Sequence, residues 1–244
     1  MTSAWRAELL KIATVKGQWV GATLAIAAMP LTSLLVVATG RLGAGDTATV
    51  GAATGSIVGL LAFGVWGATV GASEYASGSI VVSLSTVPRR SVLYAAKLAA
   101  TATIAGLGAL ISAATSLLGV LAVTPSGHHP LGNSADLIGV VLVITTVAAA
   151  GTAVGIISRS PSASIAVVVA AILIPNAAGG LLGRIQPWVV GASPGTVIAQ
   201  IVDSAQLPAN QTYPGGAWAA AATLVLVGTA VAVGGAIALI RRDG

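Results

Sequence analysis

The chain contains no cysteine, which excludes disulfides, thiolate metal sites and thiol nucleophiles and leaves the redox compartment unmarked. Charge is almost as scarce: 7% of the 244 residues are Asp, Glu, Lys or Arg, against 56% hydrophobic. Soluble domains carry roughly a quarter of their residues as charges, so too few are present to cover a core with a wetted surface. Lipid must be the solvent. A phosphate-cradling loop is missing as well, since Lys11, Lys16 and Lys97 lack the preceding glycines and the following Ser or Thr that such a loop requires. ATP is therefore not bound here in that way. No ionisable residue falls well inside an apolar run, which argues against an ion-coupled carrier or proton relay. Aromatic residues, at 4%, offer little to stack a ligand.

What the chain has in abundance is long apolar runs, with a mean hydropathy of +0.97. They predict an all-α integral membrane protein, a single transmembrane domain over 1–244 with six transmembrane helices at about 20–39, 53–72, 93–123, 137–157, 163–182 and 218–240. Before them, Trp5, Leu9 and Ile12 recur at helical spacing while Arg6, Glu8, Lys11 and Lys16 lie largely elsewhere on the wheel, which predicts an amphipathic interfacial helix on the membrane. The run after it is long enough to span and shows no clear cleavage site, so it reads as a retained first helix. Met29-Pro30 should kink that helix, and Pro175-Asn176 with Gly179-Gly180 should break the fifth. The third run exceeds a bilayer's thickness, so its first turns should emerge with Lys97 snorkelling to the surface. Ser158–Ser162 makes the fourth and fifth spans a tight hairpin. Ser193-Pro194 followed by Val197, Ile198, Ile201 and Val202 predicts a second surface helix on the opposite side. Gly55-x3-Gly59, Gly67-x3-Gly71 and Gly151-x3-Gly155 permit close helix approach; they are equally a dimer seam or a reflection of 31 glycines.

The net charge of +5 would suggest nucleic acid in a soluble protein, but the basic residues sit at the ends of apolar runs and so point to topology. With six spans, Arg6, Lys11, Lys16, Arg89, Arg90, Lys97, Arg159, Arg241 and Arg242 share one side, and Arg41 and Arg184 the other. Both termini are then expected in the cytoplasm. The Ala-, Gly- and Val-rich, Lys-poor composition is that of a GC-rich bacterial genome, so a bacterial plasma membrane is the expected location.

The passage from Glu74 to Lys97 stands apart as a polar, basic stretch between two apolar ones. It reads as a helix end at Glu74-Tyr75, a turn at Gly78-Ser79, a short cytoplasmic coupling helix carrying Ile80, Leu84 and Val87 on one face, and a turn at Pro88-Arg89-Arg90. In its plainest role Glu74 pairs with Arg89, Arg90 or Lys97 and fixes the turn. Elsewhere, Ser126, His128 and His129 offer a nucleophile with a base or a metal site, but without a positioned acidic third member. Asn210-Gln211-Thr212 fits a glycosylation sequon that is common by chance. An ion-coupled or facilitative carrier and an intramembrane enzyme both stay open on these residues alone.

The order of Glu8-Leu9-Leu10-Lys11, Glu74-x3-Gly78-Ser79, Pro88-x-Arg90, Lys97 and the terminal Arg241-Arg242-Asp243 resembles the membrane subunit of type-two ABC exporters. Ser79 stands where that family more often has Thr. The resemblance covers the whole chain in span number and loop order, and its sequence-specific part is residues 74–97. It implies a permease without chemistry of its own, which pairs with a second permease subunit as homodimer or heterodimer. It also implies two copies of a separate ATPase subunit, which would hold the ATP and magnesium. Glu74, Tyr75, Gly78, Ser79, Pro88, Arg89 and Arg90 would then belong to the ATPase-coupling contact, and Trp5, Glu8, Lys11 and Lys16 to the interfacial helix above it. Cargo in such exporters is a drug, antibiotic, lipid, peptide or polysaccharide; the aliphatic spans favour an apolar or amphipathic one. Lipid is a partner and nucleic acid is not.

Overall fold

The computed structural model describes residues 2–43, 45–80, 89–124, 129–203 and 207–242. Among the described residues the fold is all helix and turn, without strands. Five helical segments, Lys16–Ala38, Ala48–Ala76, Arg90–Val123, Asp136–Ser158 and Ala217–Leu239, are long and apolar enough to cross a bilayer, which makes this a membrane protein. Helix α1 (Thr2–Thr14) leads into α2 (Lys16–Ala38) through Val15, whose extended backbone (φ −78°, ψ 112°) bends the chain between them. The second segment is α3 (Ala48–Ala53) followed by α4 (Ser56–Ala76). The long α5 (Arg90–Val123), α6 (Asp136–Ser158) and α7 (Pro161–Ala177) come next. Short helices α8 (Gln186–Val189) and α9 (Pro194–Ile201) precede α10 (Ala217–Arg242). The expected fifth span stops early: α7 ends at Ala177 and passes into single turns at Gly179–Leu181 and Gly183–Ile185, where the predicted Pro-Asn and Gly-Gly breaks fall. Of the predicted coupling helix, residues 81–88 lie outside the described residues, as do the loop residues Pro125, Ser126 and His128.

Helix α4 is the axis of the bundle, packed against α6, α2 and α7. Its pairing with α6 is where the small residues go. A Cβ on Gly67 would overlap the Ala148 carbonyl, one on Gly71 the Thr152 carbonyl, and one on Gly155 the Ala68 carbonyl. Only glycine lets the two backbones come this close. Thr152 Oγ1 then donates across the seam to Gly67 O at 3.1 Å. The Gly-x3-Gly spacing is thus used inside the chain.

Breaks in the helices are met by hydroxyls from neighbours, as they must be where no water is available. Pro30 has no N–H to give Ile26 O four residues back; Ser112 Oγ of α5 donates to that carbonyl at 2.7 Å instead, and α2 continues through the proline. At the interruption between α3 and α4, Ser33 Oγ donates to Ala52 O (2.8 Å) and accepts from Gly55 N (3.0 Å). The predicted surface helix at 194–201 does form as α9 with Pro194 in its first turn, but Val197, Ile198, Ile201 and Val202 are all buried against the protein. The apolar stripe faces α6, α10 and α4, because inside a membrane protein an apolar face gains nothing from lipid that it does not gain from close packing.

Candidate functional site

One end of the bundle holds four charges in contact. Ala4, Glu8 and Ile12 lie one above the other on α1 at four-residue spacing, and all three are buried. Glu8 is thereby carried inward: it is 3% exposed and its two oxygens are both used. Lys11 Nζ lies 2.6 Å from Glu8 Oε1 and 2.8 Å from Glu74 Oε1 near the end of α4. Lys97 Nζ, two turns into α5, lies 3.0 Å from Glu8 Oε2 and 3.1 Å from Glu74 Oε1. Glu74 and Lys97 are each 6% exposed. Two carboxylates and two ammoniums alternate, so the group is neutral as a whole. In a low-dielectric setting that is the condition under which buried charge is tolerated.

The cluster ties three separate segments, α1, the end of α4 and the start of α5, at one point. Lys11 is the outer member, with 41% of its side chain exposed. Partial burial works against its charge, but hydrogen bonds to Glu74 and Glu8 outweigh that and hold the ammonium above the ordinary lysine value. A further tie lies about two turns along α4 from Glu74, where the buried Trp66 donates Nε1–H to Gln18 O of α2 at 3.0 Å.

Three expectations change. Glu8 is not on the polar face of an interfacial helix; it belongs to the face that also carries half-buried Trp5 and Leu9 and buried Ile12. Lys97 does not snorkel outward, because two carboxylates meet it inside the bundle. Of the three cations considered for Glu74, Lys97 alone pairs with it, and the unforeseen one is Lys11. Arg89 is exposed and Arg90 half-buried, and neither forms an ion pair among the described residues. Lys16 is exposed at the first position of α2.

The remaining predicted residues shape the helix end. Gly78 takes φ +71°, the left-handed conformation that stops a helix at low cost only for glycine, and Gly78 N–H reaches back to Tyr75 O at 3.3 Å. Ser79 Oγ lies 2.8 Å from Ser77 Oγ. Tyr75 receives the Arg159 guanidinium 5.2 Å from its ring centroid, so Arg159 sits at the same end as the cluster. Pro88 lies outside the described residues. The sequence held a signal for Glu8, an acid between Trp5 and Ile12 on the apolar stripe, and the Glu8–Lys11 spacing of three marks a helical ion pair. Nothing in the sequence singles out Gln18.

At the opposite end, His129 Nδ1 lies 2.7 Å from the backbone oxygen of Asp46, and the Asp46 carboxylate accepts instead from Gly43 N at 2.9 Å. The carboxylate does not orient the imidazole as a catalytic third member would. Asn210 of the sequon turns its amide toward Gln186 Oε1 at 3.4 Å.

A cavity of about 450 Å³ opens between α7 and α10, floored by α6 and roofed by Trp188 and Pro194. Its walls are almost wholly aliphatic, with Val168, Ile172 and Leu224 among them. The hydroxyls that border it are already engaged: Thr146 donates to Leu142 O, and Thr223 to Ala219 O. Such a space accepts hydrocarbon and offers nothing to a charge. Compared with protein-family models, curated proteins and solved structures, the chain gives no match.

Proposed function

We propose that the chain is the permease subunit of an ATP-driven exporter of the type-two ABC class, moving an apolar or amphipathic molecule outward with the help of a separate ATPase. The observation that carries this reading is the buried cluster of Glu8, Lys11, Glu74 and Lys97. Force from a soluble motor has to enter a membrane bundle through an element rigidly joined to it. Here an N-terminal helix, the end of one long helix and the start of the next are fastened together by four ion pairs at one end. These three segments carry most of the family-like residues, the terminal Arg241-Arg242-Asp243 being the exception. On this reading α7 is the sixth crossing, 17 residues or about 26 Å long. Both termini and the cluster face the cytoplasm, and a partner ATPase docks below residues 74–97. The aliphatic cavity beside α6 supports a cargo with a hydrocarbon portion.

The test is co-expression with the candidate ATPase, purification through a tag on this chain, and measurement of ATP hydrolysis and cargo export. Glu74→Gln, whose amide oxygen still accepts from Lys11 and Lys97, should leave the protein in the membrane while uncoupling hydrolysis from transport. A protein that never retains an ATPase and takes up substrate in liposomes under an ion gradient alone is a carrier, and the proposal fails.

A further inference from the structure

Beside the ion cluster is a second cavity, about 400 Å³, bordered by Lys11, Ile12, Val15, Gln18, Val70 and Glu74. Its border also carries Glu8 and Lys97, both tied into the cluster, and two acceptors whose partners are missing. Among the described residues nothing hydrogen-bonds Glu74 Oε2 or Gln18 Oε1, although both atoms are buried. The serines on the rim have spent their protons: Ser73 donates to Val70 O and Ser77 to Ser73 O. A buried carboxylate oxygen without a donor is costly, and two orphaned acceptors on one cavity ask for the same thing. Ile12, Val15 and Val70 supply an apolar wall alongside.

From this we infer that the cavity is a binding site for a protonated amine or guanidinium carried on an apolar stem, which takes the place of Lys11 against Glu74. The charge count requires the exchange. Adding a cation to the intact cluster would leave three positive charges against two, whereas a guest that displaces Lys11 restores two against two. Lys11 is the member able to leave, since it is half-exposed, borders the cavity and stands four residues before the extended Val15. The guest's N–H groups then reach Glu74 and the Gln18 amide oxygen, and its stem lies along Ile12, Val15 and Val70. This site rests on the cavity and its unpaired oxygens, and stands whether or not the chain works with an ATPase.

The probe is n-hexylammonium, titrated by calorimetry into the full chain in a nonionic detergent, with 1-hexanol and tetramethylammonium as comparisons. Hexylammonium should bind saturably at one per chain, while hexanol, which lacks charge, and tetramethylammonium, which lacks N–H, should not. Gln18→Leu should weaken binding about tenfold by removing one acceptor of a charged donor. Lys11→Ala should strengthen it about tenfold or more by removing the internal competitor, and Glu74→Gln should abolish it. Equal binding of hexylammonium and hexanol, or an unchanged affinity in Lys11→Ala, would overturn the assignment. If Glu74→Gln fails to fold, the opposite signs expected of Gln18→Leu and Lys11→Ala still decide it. Repeating the titration in phosphatidylethanolamine and phosphatidylcholine nanodiscs separates the sources: loss of the site only in the former identifies a lipid headgroup as occupant, and equal binding a free amine.

Discussion

Lys97→Met should be far more damaging than Lys11→Met, and the geometry says by how much. The lysine is buried, and its ammonium lies 3.0 Å from Glu8 Oε2 and 3.1 Å from Glu74 Oε1. Methionine fills most of the same volume but leaves Glu8 Oε2 with no cation, and leaves two carboxylates to share Lys11. Removing one partner from a buried pair costs about 3–5 kcal/mol, mostly from the uncompensated charge that remains. Lys11→Met also removes contacts to both carboxylates, but from a half-exposed side chain where water can replace them, so about 1 kcal/mol is expected. The double change Glu8→Leu with Lys97→Met takes out a whole pair and keeps the 2.8 Å Lys11–Glu74 contact. It should recover most of the loss, since an apolar pair in a buried site is often as stable as the ionic one. The assay is thermal unfolding in detergent of the unaltered protein, Glu8→Leu, Lys97→Met and the double variant as a cycle, with Lys11→Met beside them and a drop on the order of 10 °C for Lys97→Met. Equal, small shifts for Lys97→Met and Lys11→Met, or no recovery in the double variant, would refute the view that the cluster is a desolvated and mutually dependent unit.

Gly67→Val places a side chain on the Ala148 carbonyl, and with backbone on both sides unable to retreat it should cost about 3 kcal/mol or abolish folding; comparable stability by thermal unfolding would disprove the close seam. Ser112→Ala removes the donor to the carbonyl that Pro30 leaves unpaired and should cost about 1–2 kcal/mol. The same change in a Pro30→Ala background should cost less, because the backbone N–H then reaches Ile26 O, so a cycle without coupling would refute that pairing. The raised Lys11 ammonium gives a sign for pH dependence: its contribution is complete below the ordinary lysine value of 10.5 and is lost as pH rises through the higher folded value. Stability measured from pH 8 to 12 should therefore fall at the alkaline end, and Lys11→Met should flatten part of that fall.

The long helices were legible because lipid enforces them. A run at 137–157 becomes Asp136–Ser158, and one at 93–123 becomes Arg90–Val123, since a bilayer demands about twenty apolar residues with satisfied backbones. The breaks were legible too, at Gly78 and after Pro175. What could not be read was the partner of each face. Val197, Ile198, Ile201 and Val202 form the same stripe whether lipid or protein covers it, and only the folded chain shows them buried. The seam of Gly67, Gly71, Gly151 and Gly155 likewise fits a neighbour in the same chain or in another. Lys97 stood in the sequence both as a residue snorkelling to the surface and as one of three candidate partners of Glu74, 23 residues back; its second partner, Glu8, lies 89 residues back, a separation that no local pattern carries, and the two carboxylates together hold it inside.

The cost of the cluster bears on why it is there. Four charges at a membrane bundle's end are not needed for stability, because apolar side chains of the same size would pack at least as well. What ion pairs supply and apolar contacts do not is directional choice: Lys11 and Lys97 both meet Glu8 and Glu74, so a rotation of α1 that loses one contact loses all the geometry at once. An aliphatic contact would slide. Extended backbone at Val15 turns α1 away from the line of α2, while the cluster fixes it to α4 and α5, and α4 packs through its glycines in close contact with α6. On the proposed reading, a displacement of α1 would reach α4 through the cluster and α6 through the seam, and α6 floors the aliphatic cavity. That continuous path of close contacts, from α1 through α4 to an apolar space beside α6, is the physical argument for the proposed coupling role of the cluster.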